Sequence, residues 1–279
     1  MWTVLQIELF KIFKRPRTYI AFIAIAAIVI LIQLAFYVDG ESYVQFMLQA
    51  ISESFTVEGK ILNGYLICYV ILQTLLIHVP LLIALIAGDM TAGEANMGTL
   101  RLLISKPVSR QSLMLSKFLA STVYTLLLLI WMAFLSLIMS LMIFGIGDLM
   151  IFKSEQIVIL KSTDIMWRYY CCFGFAAIAM TTVAALAFFL SIFAENSIGP
   201  IITTMSIIIV FTILTSMDLP LFKAMKPFIF TSHMLGWKGF LDDPINYGSV
   251  MRSAGILVIH IALFVAAAIL IFKRKDVLS

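Results

Sequence analysis

Six long runs of apolar residues alternate with shorter polar connections along this chain. An α-helix needs about 20 apolar residues to cross the roughly 30 Å hydrocarbon core of a bilayer, and each run reaches that length. The predicted spans are residues 19–38, 61–87, 118–146, 167–194, 198–217 and 253–272. Six spans place both ends of the chain on the same side of a membrane.

The first 17 residues have an amphipathic pattern that is too short to span. On a helical wheel their apolar and charged side chains gather on opposite faces. The apolar face holds Trp2, Leu5, Leu9, Ile12 and Phe13, and the charged face holds Glu8, Lys11, Lys14 and Arg15. The pattern predicts an amino-terminal helix lying in the inner membrane interface. The alternative is a cytoplasmic extension of the first span, although Pro16 favours a break at that point.

The connection between the last two spans, residues 218–247, is divided by three prolines, Pro220, Pro227 and Pro244. It is nevertheless rich in Leu, Phe, Met and Trp, which is unusual for a free loop in water. We therefore expect short re-entrant helices that dip into the outer leaflet.

Composition supports a membrane protein and excludes a separate soluble domain. Hydrophobic residues make up 62% of the chain and charged residues 12%, whereas a soluble domain is about half apolar and a quarter charged. The predicted fold class is an all-α integral membrane protein, with one domain over residues 1–279.

The distribution of Lys and Arg predicts the orientation, because cytoplasmic flanks of spans retain positive charge. Bases cluster before the first span, after the second span and after the last. They are Lys11, Lys14, Arg15, Arg17, Arg101, Lys106, Arg110, Lys117, Lys273, Arg274 and Lys275. The first outer connection is mainly acidic, whereas later ones carry some lysines. We expect a multi-pass protein of the cytoplasmic (inner) membrane of a prokaryote, with both termini cytoplasmic.

The usual signatures of catalysis and of cofactor binding do not occur in the sequence. There is no G-x-x-x-x-G-K-[ST] phosphate loop, no HExxH motif and no GxSxG motif. Cys68, Cys171 and Cys172 fall within predicted spans and are expected to pack. We expect no catalytic residue, cofactor or metal site in this chain. Its short basic clusters beside the membrane fit contact with anionic lipid and not with nucleic acid.

The polar insert at residues 88–117, between the second and third spans, is the most specific part of the sequence. Asp89 supplies oxygens for a helix amino end and Glu94 adds early negative charge. Glu94 and Arg101 are seven residues apart, so they align on one face, and a second helix begins at Ser109. The pattern predicts a short cytoplasmic surface helix suited to docking a partner.

This insert resembles the coupling segment of permease subunits of ABC exporters of the second type, a six-span family. The matching positions are Asp89, Gly93, Glu94, Gly98, Thr99, Leu100, Leu102, Leu103, Pro107, Arg110 and Lys117. The resemblance implies that residues 1–17 form the family's interfacial helix and residues 218–247 its outer re-entrant helices. It also implies a dimer with a second copy of the permease, and a cytosolic ABC ATPase subunit that binds ATP and Mg. The implied ATPase-docking residues are Asp89, Gly93, Glu94, Met97, Gly98, Thr99, Arg101, Pro107 and Arg110.

The sequence gives weaker evidence for a translocation pathway than for the coupling segment. Thr204, Thr212 and Thr215 fall on one side of the fifth span, and His78 is an ionisable residue inside the second. Threonines in membrane helices often bond to their own backbone instead. Two other functions stay open: an ATP-driven mechanical transmitter or maturation component that moves no substrate, and a membrane enzyme that uses scattered groups such as His78 and His260.

Overall fold

The computed structural model describes residues 1–49, 60–104, 108–153, 157–217 and 219–275, without the side chains of Arg101, Ile104 and Leu221. Pro107 and Asp218 therefore lie outside the described residues. The α-helices are α1 (Trp2–Lys14), α2 (Arg17–Gln49), α3 (Gly64–Ala87), α4 (Asp89–Asn96), α5 (Leu100–Ile104), α6 (Arg110–Ala133), α7 (Ser140–Phe144), α8 (Ser162–Ser191), α9 (Ile198–Ser216), α10 (Pro220–Met225), α11 (Phe230–Met234) and α12 (Tyr247–Arg274). A π-helical segment (Phe134–Met139) joins α6 to α7, and 3-10 helices cover Lys226–Phe228 and Leu235–Leu241.

Each predicted span coincides with a long apolar helix. Within the described residues, six helices are long and apolar enough to cross a membrane. They are α2, α3, the continuous helix from α6 to α7, α8, α9 and α12. The predicted membrane protein with six apolar helices of spanning length is confirmed. The first of these helices differs from its predicted span, because α2 has 33 residues and at 1.5 Å per residue is about 50 Å long. It therefore extends well beyond one bilayer core.

One short β-hairpin departs from the predicted all-α fold. Strands β1 (Leu149–Phe152) and β2 (Ile157–Leu160) pair antiparallel, with Leu149 opposite Leu160. Every second side chain of both strands is buried, which is the pattern of a strand with one buried face. Four-residue strands give too short a pattern to stand out between two long apolar spans.

Helix α8 lies at the centre of the bundle and packs against α3, α6 and α12. Its buried face is rich in alanine, which lets neighbouring helices approach closely. These buried alanines are Ala176, Ala179, Ala184, Ala185 and Ala187. By contrast, α9 and α12 leave most of their surface outside the core.

The segment after α9 folds into short helical pieces, as its prolines predicted. The indole ring of Trp237 is fully buried there, against α3 through a ring contact with Tyr69. The guanidinium of Arg168, on α8, donates to the backbone carbonyls of Phe240 and Asp242. These contacts fix the segment to the bundle, while its position relative to a membrane stays a prediction.

The π-helical segment is supported by a buried polar residue of α2. A π turn breaks the regular hydrogen-bond ladder of a helix and leaves carbonyl groups in need of partners. The side-chain amide of Gln33 donates to the Leu135 carbonyl at 3.0 Å and to the Ser140 hydroxyl at 2.9 Å. Gln33 therefore joins α2 to the π-helical segment near the carboxyl end of the helix that runs from α6 to α7.

We predict that Gln33→Leu lowers the free energy of unfolding by about 1–3 kcal/mol, because it leaves buried polar groups without a partner. Thermal or denaturant unfolding in one detergent measures the change. Gln45→Leu is the matched control, since Gln45 is exposed on the same helix and surface substitutions change stability by less than about 0.5 kcal/mol. Equal losses for the two variants would contradict this role of Gln33.

Candidate functional site

Helix α4, which matches the start of the coupling segment, is packed inside the protein. It begins directly after α3, with only Gly88 between them. A Cβ atom at Gly88 would lie 2.6 Å from the Ala84 carbonyl oxygen and 3.1 Å from Pro200 Cβ, so the close approach to α9 requires glycine. Residues 89–94 are all buried. The expectation of a surface helix is therefore wrong for the first two turns.

Four charged side chains from three helices form a closed ring beneath α4, which we call the charge ring. It consists of Glu8 and Lys11 from α1, Glu94 from α4 and Lys117 from α6. Lys11 Nζ lies 2.8 Å from Oε1 of both glutamates. Lys117 Nζ lies 3.0 Å from Glu8 Oε2 and 2.7 Å from Glu94 Oε2. Charges of opposite sign alternate around the ring, so each carboxylate contacts two ammonium groups.

A second ion cluster lies at the amino end of α4. Asp89 Oδ2 accepts from Arg15 Nη1 at 2.5 Å and also from the guanidinium of Arg17. Arg15 lies in the short connection between α1 and α2, and Arg17 begins α2. The negative carboxylate in the first turn also interacts favourably with the α4 dipole. Together, the charge ring and the Asp89 cluster connect α4 to α1, α2 and α6, and we call them the charge junction.

Because burying an unpaired charge is costly, the four side chains of the ring must meet in one geometry. Lys117 is fully buried, and Glu8 and Glu94 are nearly so. An isolated ion in such a site costs several kcal/mol, whereas a fully paired set can offset that cost. Lys117 Nζ also donates to the Met90 carbonyl at 3.0 Å. The three helices are therefore held in the one arrangement that pairs every member of the ring.

The pKa values of the ring residues on α1 shift in the direction that keeps them charged. Burial alone would raise the pKa of Glu8, but Lys117 and Lys11 outweigh burial and hold it below 4.5. Burial alone would lower the pKa of Lys11, but Glu8 and Glu94 raise it above 10.5. The ring therefore stabilises the folded state at pH values between the pKa of Glu8 and the pKa of Lys11. The contribution of Glu8 is lost as the pH falls through its lowered pKa, and that of Lys11 as the pH rises through its raised pKa.

The inward face of α1 combines the predicted apolar face with one residue of the charged face. Ile12 is buried, and Leu5, Leu9 and Phe13 pack partly buried against the core. Glu8, predicted on the opposite, charged face, is buried as well. Trp2 and Phe10 are exposed on the outside of the protein. The ion pairs to α4 and α6 set the rotation of the helix, and a wheel drawn for α1 alone contains no information about these partners.

Two glycines of the predicted docking set shape the turn around the junction. Gly98 has φ +68° and ends α4, a conformation that favours glycine. A Cβ atom at Gly93 would lie 2.4 Å from Asp89 Oδ1. The Thr99 backbone and hydroxyl both donate to the Glu94 carbonyl. These three residues thus position Asp89 and Glu94.

Arg110, also in the predicted docking set, caps the last helix. Its guanidinium donates to the carbonyls of Phe272, Lys273 and Lys275 at the carboxyl end of α12. Exposed helix carboxyl ends leave such carbonyls without intrahelical partners. Arg110 thus has a partner within the chain. Pro107 and the side chain of Arg101 lie outside the described residues.

Among the described residues of the insert, the end of α4 and part of α5 are exposed to a partner. Met97 is 54% exposed and Leu102 is 66% exposed. They line a cavity of about 290 Å³ that also contacts Lys11, Arg15 and Thr99. This surface, the α4–α5 cavity, combines apolar side chains with two cations from the charge junction.

The predicted pathway residues differ in exposure. Thr204 is buried and donates to the Pro200 carbonyl, whereas Thr212 is exposed and its carbonyl accepts from Thr215. His78 is exposed, with Nδ1 2.7 Å from the Thr74 carbonyl. The hydroxyls of Thr204 and Thr215 thus donate to carbonyls of their own helix, which is the alternative to a role in a pathway. Among the residues that the structure describes, no three His, Cys, Asp or Glu side chains come together as a metal site.

Sequence reasoning missed five members of the junction as functional residues, namely Glu8, Lys11, Arg15, Arg17 and Lys117. Lys117 belongs to the family pattern. A lysine directly before an apolar run indicates a buried base, which must pair with acidic side chains. Glu8 and Lys11 are three residues apart on one helix and lie in the basic amino end. Nothing in that spacing indicates a contact with α4, which lies about 80 residues later.

Comparison with known proteins identifies relatives without giving an activity. A family model described as a protein of unknown function (DUF2705) matches residues 18–278. An uncharacterized protein, YhcI from Bacillus subtilis (strain 168), is 26% identical over 198 residues. That match covers 69% of this chain and 63% of the relative, so the chain spans less than two thirds of that protein. The family match includes α4 and α6 but begins after α1.

We predict that Lys117→Met lowers the free energy of unfolding by about 3–5 kcal/mol, because it leaves two buried carboxylates with too few cations. Unfolding in detergent measures this loss. Lys14→Met is the matched control, since Lys14 is exposed on α1 and should change stability by less than about 0.5 kcal/mol.

The pH dependence separates a broken ring from a general packing defect. The wild-type protein should lose stability as the pH falls below 4.5, where Glu8 with its lowered pKa takes up a proton. Lys117→Met should instead gain stability between about pH 7 and 5, because protonation relieves the unpaired carboxylates. The same pH trend in both proteins would contradict the ring assignment.

Proposed function

We propose that this chain, which belongs to the DUF2705 family of proteins of unknown function, is the permease subunit of an ABC exporter of the second type. A separate cytosolic ATPase binds ATP and Mg, and this chain converts the motion of that ATPase into rearrangement of its membrane helices. The family description and the name of the relative state no function. The proposal therefore rests on the residues and their geometry.

The charge junction is the observation that carries the proposal. Helix α4 is fastened to α1 and α6 by the charge ring and to the start of α2 by Asp89. It also continues directly into α3. A displacement applied at the exposed end of α4 therefore acts on α1, α2, α3 and α6 together. This is the mechanical property that a coupling element needs.

The α4–α5 cavity is the docking surface in this proposal. Apolar Met97 and Leu102 supply contact area, and Lys11 and Arg15 add positive charge beside them. Buried apolar anchors with charged neighbours are typical of binding hot spots. Glu94 acts from behind this surface, by holding Lys11, and not as the exposed docking charge that the sequence predicted.

The placement in the membrane follows from the same proposal. Both termini and the charge junction lie on the cytoplasmic side of the inner membrane of a prokaryote, as the basic flanks predict. The exposed Trp2 and Phe10 of α1 face the lipid interface, with Lys14 over the Phe10 ring. The short helices between α9 and α12 form the outer re-entrant segment. The exposed surfaces of α9 and α12 are available to lipid and to a second copy of the chain in a homodimer.

A transmitter that moves no substrate would use the same junction. Substrate-dependent, ATP-dependent transport in sealed vesicles distinguishes the two functions, since only the exporter moves a molecule across the bilayer.

We predict that Met97→Glu lowers copurification of the ATPase at least about tenfold, because it places a carboxylate at an apolar anchor of the docking surface. The measurement is the amount of a candidate ABC ATPase, encoded by a neighbouring gene, that copurifies with tagged permease. Ile159→Glu is the matched control, since Ile159 is also exposed and lies on strand β2, outside the candidate spans.

Both variants should elute from a sizing column like the wild type. Equal ATPase recovery with Met97→Glu and Ile159→Glu would remove the α4–α5 cavity as the docking surface. Failure of the wild-type protein to retain any ABC ATPase would contradict the proposed function itself.

A further inference from the structure

A second cavity lies at the opposite end of α3 from the charge junction. Its volume is about 220 Å³, and it is enclosed by the end of α2, the first half of α3 and strand β1. The residues that line it are Tyr43, Met47, Leu66, Tyr69, Val70, Gln73, Thr74, Met150, Ile151 and Phe152. We call it the outer cavity. No part of the charge junction contributes to it.

The lining combines an apolar wall with a small polar group. Leu66, Val70 and Phe152 belong to the apolar wall, whereas Tyr69 and Gln73, one turn apart on α3, supply polar atoms on one side. The polar side chains of Gln73 and Thr74 are half-buried. Both lie within a candidate membrane span, where polar side chains usually face a partner, a cavity or a functional site.

The walls are held by packing contacts outside the cavity. The ring of Tyr43 meets Phe36 edge to face at 5.0 Å between centroids. The ring of Tyr69 contacts the fully buried Trp237 at 6.2 Å. Strand β1 is fixed by its pairing with β2. A cavity with apolar walls and a few placed polar groups is the usual form of a preformed small-molecule site.

We infer that the outer cavity binds an uncharged amphipathic molecule. Its apolar part lies against Leu66, Val70 and Phe152, and a hydroxyl or carbonyl group bonds to Gln73. Every lining residue is uncharged, so a charged group that left water for this site would find no charged partner among the lining side chains. The inference stands on the cavity alone and does not depend on a partner ATPase.

Photocrosslinking in nanodiscs of phosphatidylcholine, without ATPase or ATP, tests this inference. The neutral probe is a diazirine-bearing diacylglycerol, and the charged comparison is a phosphatidylglycerol with the same diazirine chain. Mass spectrometry then measures labelling of the peptide that contains Met150. We expect the neutral probe to label this peptide more strongly than the anionic probe.

Two substitutions change the cavity in different ways. Val70→Trp fills it and should lower neutral-probe labelling at least about fivefold, and Gln73→Leu removes a hydrogen bond with a similar effect of about fivefold. Leu81→Trp is the matched control, because Leu81 is exposed on the same helix but does not line the cavity, and it should leave labelling unchanged. Where Val70→Trp does not yield folded protein, Gln73→Leu decides the outcome.

Labelling that is equal in wild type, Gln73→Leu and Leu81→Trp would overturn the inference. Equal or stronger labelling by phosphatidylglycerol would also overturn it, since the cavity would then accept a charged headgroup. The ATPase copurification experiment has an independent readout, so failure of one proposal is distinguishable from failure of the other.

Discussion

The need to pair buried charges is the constraint on which the rest of this structure depends. Lys117 is fully buried, and it approaches acids from two other helices at once. An unpaired ion there would cost several kcal/mol, so α1, α4 and α6 are restricted to the arrangement that completes the ring. Apolar packing alone would permit many rotations and offsets of these helices. The ring therefore determines how the amino-terminal helix and the insert are placed against the bundle.

Because of this constraint, one part of the insert is buried while another part is exposed. The first turns of α4 are buried and fixed, whereas its end, with Met97, is exposed beside α5. Gly98, in a left-handed conformation, then separates α4 from α5. In the proposed exporter, the exposed end receives the ATPase and the fixed end passes the displacement to the bundle. At the far end of α3, the outer cavity adds a site for a neutral amphiphile, so one helix connects both functional regions.

The sequence predicted those features that depend on one segment at a time. The six long helices follow from the length of apolar runs, and the short helices after α9 follow from proline and apolar content. The side-chain partners could not be predicted, because Glu94 contacts residues that lie 83 positions earlier and 23 later in the chain. The family motif drew attention to the segment that contains Asp89 and Glu94, but it predicted an exposed Glu94, whereas Glu94 is buried. The β-hairpin was missed because each strand has only four residues.

In the proposed exporter, α1 and α4 move as one body when a partner ATPase turns over. Distance measurement by pulsed electron resonance tests this motion, with spin labels at Gln6 and Asn96, which are exposed on α1 and α4, in a cysteine-free background. A second pair of labels, at Asn96 and Phe228, reports motion relative to the segment after α9. We expect the Gln6–Asn96 distance to stay unchanged and the Asn96–Phe228 distance to change during ATP hydrolysis. A change in the first distance, or no change in either, would contradict this coupled motion.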